Sequence, residues 1–135
     1  MKQIFLVLVL SMSFASSSNA QNDLKISTMD FVEVLNNNHE EALYFYKNNW
    51  KKLREIAQEK DYIDSFKLLE TEADEQYPFS FILITTYANK EQYENREEHF
   101  SEVMKIKGGL ELLNENRPDE FRKTLFSKEK VFEIQ

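Results

Sequence analysis

Cysteine is absent from this chain of 135 residues, which removes disulfides, thiol catalysis and thiolate metal sites together. Glycine and proline occur only twice each, too seldom for a repeat, a disordered segment or a loop-built all-β fold. Histidine is as scarce: His39 and His99 stand alone, outside any spacing such as His-Glu-x-x-His, and no Cys-x-x-Cys-His exists for covalent haem. There is no glycine-rich phosphate loop and no Gly-x-Ser-x-Gly elbow, so no motif asks for a cofactor and none is expected. Basic charge is in the minority, 17 Lys and Arg against 24 Asp and Glu. Nucleic acid and anionic membranes would be repelled, which argues against both as partners.

The longest apolar run, residues 4–10, is far short of the roughly 20 residues that a spanning helix needs. With Lys2 before it and Ser18-Asn19-Ala20 after it, the run predicts a secretory signal peptide over residues 1–20, cut after Ala20. The mature chain, residues 21–135, is then one exported domain, periplasmic or secreted, with no membrane insertion after cleavage. It loses one basic and no acidic side chain, leaving 24 acidic against 16 basic, near −8. Stability must come from a packed core, and the nine phenylalanines and six tyrosines of residues 21–135 supply one.

The most apolar stretch of the mature chain is residues 77–88, rich in β-branched and aromatic side chains, with Pro78 at its entrance. Alternation puts Phe79, Phe81, Leu83, Thr85 and Tyr87 on one face and Ile82, Ile84 and Ala88 on the other, an interior strand apolar on two sides. Around it, residues 23–36 alternate as a first strand, Asn36-Asn37-Asn38 is a turn, and Asn38 is placed to cap a helix over residues 39–60. That helix gathers Ala42, Leu43, Phe45, Tyr46, Trp50, Leu53, Ile56 and Ala57 within an arc of about 160°, as a core-facing stripe does. Residues 62–72 read as a second strand, with Tyr62, Phe66 and Leu68 on one face and Ile63 and Leu69 on the other. An acidic connection joins it to the central strand.

Asn89 should cap a second helix, residues 90–107, with Tyr93, Phe100, Val103, Met104 and Arg96 inward and Gly108-Gly109 ending it. Residues 110–113 suggest a short extra turn and 114–119 a loop. Residues 120–134 form a last strand with a break at Ser127-Lys128-Glu129-Lys130.

The order is β-α-β-β-α-β, which predicts an α+β, ferredoxin-like sandwich: a four-stranded antiparallel sheet with two helices on one face. Its second face is too apolar for water, so a homodimer through that open face is expected. In this element order, in Trp50-Lys51-Lys52-Leu53-Arg54 on the first helix, and in Phe81-Ile82-Leu83-Ile84-Thr85-Thr86-Tyr87 followed by a helix, the chain resembles the dimeric α/β-barrel superfamily. The resemblance covers residues 24–134. It implies two protomers pairing their sheets into a barrel, and any ligand pocket between each sheet and its own helices. Members include cofactor-less and haem-degrading monooxygenases, stress-responsive proteins and uncharacterised exported groups.

The candidate ligand-binding residues are Tyr46, Asn49, Trp50, Tyr87, Arg96 and His99; no catalytic or metal-binding residue is assigned. Asn49 is a polar amide inside an apolar stripe. Either it orients a ligand, with Trp50 as an aromatic wall, or it satisfies neighbouring backbone. Arg96 either binds an anion or pairs with an acid such as Glu33 or Glu70. His39 and His99 are either surface residues or bases and ligands, and Tyr46 and Tyr87 are pocket-wall candidates. A pocket of about 300 Å³ or more lined by Asn49, Trp50, Tyr87 and Arg96 would support a small-molecule-binding or accessory protein. The alternatives are a cofactor-less or haem-dependent monooxygenase and a dimer serving protein–protein interaction alone.

Overall fold

The structure, a computed structural model, describes residues 24–135. The signal segment, its cleavage site and the first residue of the expected first strand lie outside the described residues. The elements are β1 (Ile26–Val34), α1 (His39–Phe45), a π-helical turn (Tyr46–Trp50), α2 (Lys51–Glu59), β2 (Ser65–Glu70), β3 (Phe81–Tyr87), α3 (Lys90–Glu94), α4 (Arg96–Lys107), α5 (Pro118–Phe121) and β4 (Arg122–Phe132). The strands lie in the order β2-β3-β1-β4, all neighbours antiparallel. This is the ferredoxin-like α+β arrangement.

The register sorts the sheet into two faces. Val32 pairs with Phe81, Asp30 with Leu83, Thr28 with Thr85 and Ile26 with Tyr87. Phe81, Leu83, Thr85 and Tyr87 are all buried, so this is the face beneath the helices. Two clusters fill the layer: Val32, Phe45, Tyr46, Trp50, Phe81, Leu83 and Phe121 toward one end, and Ile26, Ala57, Ile63, Tyr87, Tyr93 and Val103 toward the other. Each large apolar side chain so buried contributes about 1.5–3 kcal/mol.

The opposite face carries Met29 against Ile84, Phe31 against Ile82 and Leu69 against Ile82. No described element covers it. Phe126 there is 49% exposed and Leu69 41%. Phe79 belongs to this face and not, as alternation predicted, to that of Phe81. The strand begins only at Phe81, and Phe79 turns back onto Phe31 and Phe126, with ring centroids 5.0 and 6.5 Å away.

The first helix is continuous but not uniformly α. The amide of Lys51 reaches the carbonyl of Tyr46, five residues back, which is the π-type bond. The second helix is interrupted at Asn95, between α3 and α4. Asn89 caps α3 as expected, its side chain accepting from the Gln92 amide. Asn36 and Asn37 adopt the left-handed turn, but the Asn38 side chain donates to Glu120 O and does not cap α1.

Other boundaries differ from expectation. β2 starts at Ser65, so Ile63 is freed from strand alternation and packs beneath the helices with Tyr87. Residues 110–113 form no helical turn, and the chain turns helical later, at α5, where Pro118 fits the first helical position. The expected break in the last strand is a β-bulge within a continuous β4. Ser27 and Met29 pair with Val131 and Lys128, so β4 holds one extra residue there, where Lys130 takes a φ of 54°, and a second shift, between Phe31 and Val32, adds another between Phe126 and Thr124.

Candidate functional site

Where a single pocket was expected, two line the space between helices and sheet among the described residues, meeting at Leu53. The first, about 260 Å³, is lined by Asp30, Phe45, Tyr46, Asn49, Trp50, Leu53, Leu83, Leu110, Arg122 and Thr124. The second, about 300 Å³, is lined by Leu53, Arg54, Tyr87, Arg96, Glu97, Phe100 and Met104. Tyr46, Asn49 and Trp50 therefore share one cavity, Tyr87 and Arg96 share the other, and His99 lines neither.

Asn49 is held by the π turn and is almost fully buried. Its Nδ2 donates to Phe45 O at 2.9 Å and to Glu111 O at 2.7 Å. Its Oδ1 accepts from the Glu111 amide at 2.8 Å and from Lys107 Nζ at 3.1 Å. Both donors and both lone pairs are in use, so the side chain fastens the loop after α4 to the first helix. Beside it, Tyr46 faces Asp30 and Arg122 across the cavity. Burial pushes its hydroxyl pKa up to about 12, with Arg122 opposing and Asp30 reinforcing the shift. Asp30 accepts from Ser127 Oγ, and Arg122 lies over the Phe45 ring with its Nε buried and without a hydrogen-bond partner.

In the second cavity the guanidinium of Arg54 lies between two rings, 4.6 Å from the centroid of Trp50 and 4.3 Å from that of Phe100. Its Nε donates to Thr85 Oγ1 at 3.2 Å. Burial lowers its pKa to about 10, with Tyr87 and Asp30 acting the other way, so it remains a cation at neutral pH. Arg96 donates from Nη1 to Tyr93 O at 2.9 Å and stands 3.9 Å from Glu129, not against Glu33 or Glu70. Burial raises the Tyr87 hydroxyl pKa, and Arg54 and Arg96 pull it back. Both guanidinium groups are thus felt at one phenol.

The histidines fall elsewhere. His99 stacks on Tyr62 with centroids 3.8 Å apart, and its Nδ1 is buried without a partner. His39 bonds Glu70 and stacks on Phe81. Arg54 is the residue that sequence reasoning passed over, because an arginine on a helix reads as a solvent-reaching side chain. Its signal was its place one turn after Trp50, on the apolar side of the rod. Among the described residues, no three His, Asp or Glu side chains gather as a metal would need, and no helix is long and apolar enough to cross a membrane.

The fold and the cavities define a ferredoxin-like domain with a polar-lined helix–sheet interior. A solved structure to which it is similar is a "putative antibiotic biosynthesis monooxygenase" from Bacteroides thetaiotaomicron. That match has 14% identity, covers 70% of this chain and 90% of that one, and has a TM-score of 0.33. Similarity at that level carries no argument about activity. No family model and no curated protein matches the sequence.

Proposed function

We propose that the protein is an exported small-molecule-binding or accessory protein of the dimeric α/β-barrel type, holding its ligand between the sheet and its own helices. The observation that carries this reading is the pair of cavities meeting at Leu53, into which Tyr46, Arg54, Tyr87 and Arg96 present polar groups amid aromatic walls. Polar groups sparsely placed in apolar concavities are what small-molecule recognition requires. A protein used only for interaction would have no need of this space.

The homodimer is supported by the bare sheet face, where Met29, Phe31, Phe79, Ile82, Ile84 and Phe126 form an apolar field that water solvates poorly. Phe126→Lys should yield a monomer by light scattering where the parent protein is a dimer; a parent that is monomeric at micromolar concentration sinks the barrel. Export is tested by fractionation and intact mass, with mature protein beginning at Gln21 expected outside the cytoplasm.

The ligand itself is sought by native mass spectrometry of the freshly purified protein. A bound small molecule that is lost on denaturation supports the reading. The monooxygenase alternative called on Asn49 and Trp50 together with His99 or Arg96. Asn49 and Trp50 line one cavity, Arg96 the other and His99 neither, and the polar atoms of Asn49 are engaged elsewhere, which is why we rank the oxygenase below binding. A haem-dependent absorbance band on titration, or oxygen uptake with a quinol, would reverse that ranking.

A further inference from the structure

We propose that the second cavity takes a small organic anion, a monocarboxylate with a flat apolar body, and that Arg54 is the residue that reads its charge. This rests on the interior being a ligand-binding space, and adds the chemical class and the residue responsible.

Arg54 is a half-buried cation between the helices and the sheet. Among the described residues no carboxylate comes within salt-bridge distance of it, although the chain carries 24 acids. Asp30 acts on it only at longer range, and Glu97, which lines the same cavity, is an exposed helix residue. Of five guanidinium N–H donors, one is engaged by a side chain among the described residues, that of Thr85. The two flanking rings stabilise the cation through their faces, but they leave its in-plane donors free. A half-buried guanidinium with no acid beside it keeps donors available to a ligand that enters the cavity.

The rest of the lining completes the description. Arg96 and the Tyr87 hydroxyl line the same cavity and supply further donors beside Arg54. Phe100, Leu53 and Met104 form the apolar part of the wall, against which a flat hydrocarbon body would lie. Planar bidentate recognition of a carboxylate is what an arginine with free in-plane donors performs best.

The test uses 1-naphthoate and its neutral carboxamide as probes. Trp50, the only tryptophan of the chain, is the reporter, because its ring lies against the Arg54 guanidinium. The expected result is that naphthoate changes Trp50 fluorescence saturably and binds at least roughly tenfold more tightly than the carboxamide. Arg54→Met should abolish that preference while retaining the circular dichroism of the parent. Arg96→Gln, at a half-buried position where folding is not at stake, should reduce the preference in part and provides the readout if Arg54→Met fails to fold. Equal binding of the two probes overturns the anion assignment and leaves the ligand-binding reading standing. Absence of binding by either probe, in a protein that also carries no co-purified ligand, overturns both. A preference that survives Arg54→Met overturns the role given to Arg54.

Discussion

The two cavities either side of Leu53 are built on one helical rod, yet they treat buried polarity in opposite ways. In the first, Asn49 uses every hydrogen-bonding position it has, on Phe45, Lys107 and Glu111. In the second, five residues further along, Arg54 uses one of five. An amide that is fully engaged belongs to the architecture, because nothing is left over for a visitor. A half-buried guanidinium that is mostly unengaged within the protein keeps donors that a ligand could take. Polarity inside an apolar layer is therefore not itself the mark of a site; unused polarity is.

The sharpest way to break this comparison begins at the shared floor. Leu83→Ala should lower stability by about 2–5 kcal/mol in urea unfolding, since the side chain is buried beneath Tyr46 and Trp50. A loss under about 1 kcal/mol would mean that the first cavity already relaxes freely. Asn49→Leu comes next, with an expected loss of about 1–3 kcal/mol, because the Glu111 amide and carbonyl are left without partners. Were that variant neutral or more stable, Asn49 would rejoin the ligand contacts.

Arg54→Met should cost far less and stay within about 1 kcal/mol of the parent, since the half-buried guanidinium holds one hydrogen bond and no acid. Destabilisation beyond that would make Arg54 structural and erase the contrast with Asn49. Tyr46→Phe should change least at neutral pH and show itself in alkali. The folded hydroxyl ionises near 12 and the unfolded one near its ordinary value of 10, so the unfolded chain releases its proton first as pH rises. Tyr46 then contributes its full stability below pH 10 and loses it between 10 and 12. The variant should lack that part of the alkaline decline in melting temperature.

Much of the frame was legible in sequence for reasons that the structure makes plain. β3 alternates cleanly because one of its faces is fully covered, Asn89 caps α3 by a local bond, and Gly108 takes the positive φ that ends α4. These are short-range facts, settled within a few residues. What escaped was settled at long range. Phe79 leaves its alternation because Phe31 and Phe126 await it on other strands. Ile63 follows Tyr87 and not its neighbours, and the partner of Arg96 proved to be Glu129, beside the bulge of β4.

Of the candidate site, Tyr46, Asn49 and Trp50 were found together because helical spacing brings positions three and four apart to one side. Their division from Tyr87 and Arg96 depends on where Leu53 sits between sheet and helices, which no periodicity encodes. Arg54 was missed for a chemical reason: arginine can reach water from nearly any helical position, so only packing reveals that this one is half-buried against Trp50 and Phe100.

The bulge in β4 reaches further than its own strand. A sheet ending in a flat ribbon offers its last row of amides and carbonyls to any passing chain, and one recruit exposes the next row, so that growth has no natural stop. Here one border strand is only six residues long, and the other is bent by an inserted residue amid Lys128, Glu129 and Lys130. Fibre-like propagation is discouraged at both margins. The pairing proposed above, sheet face on sheet face, would be complete at two.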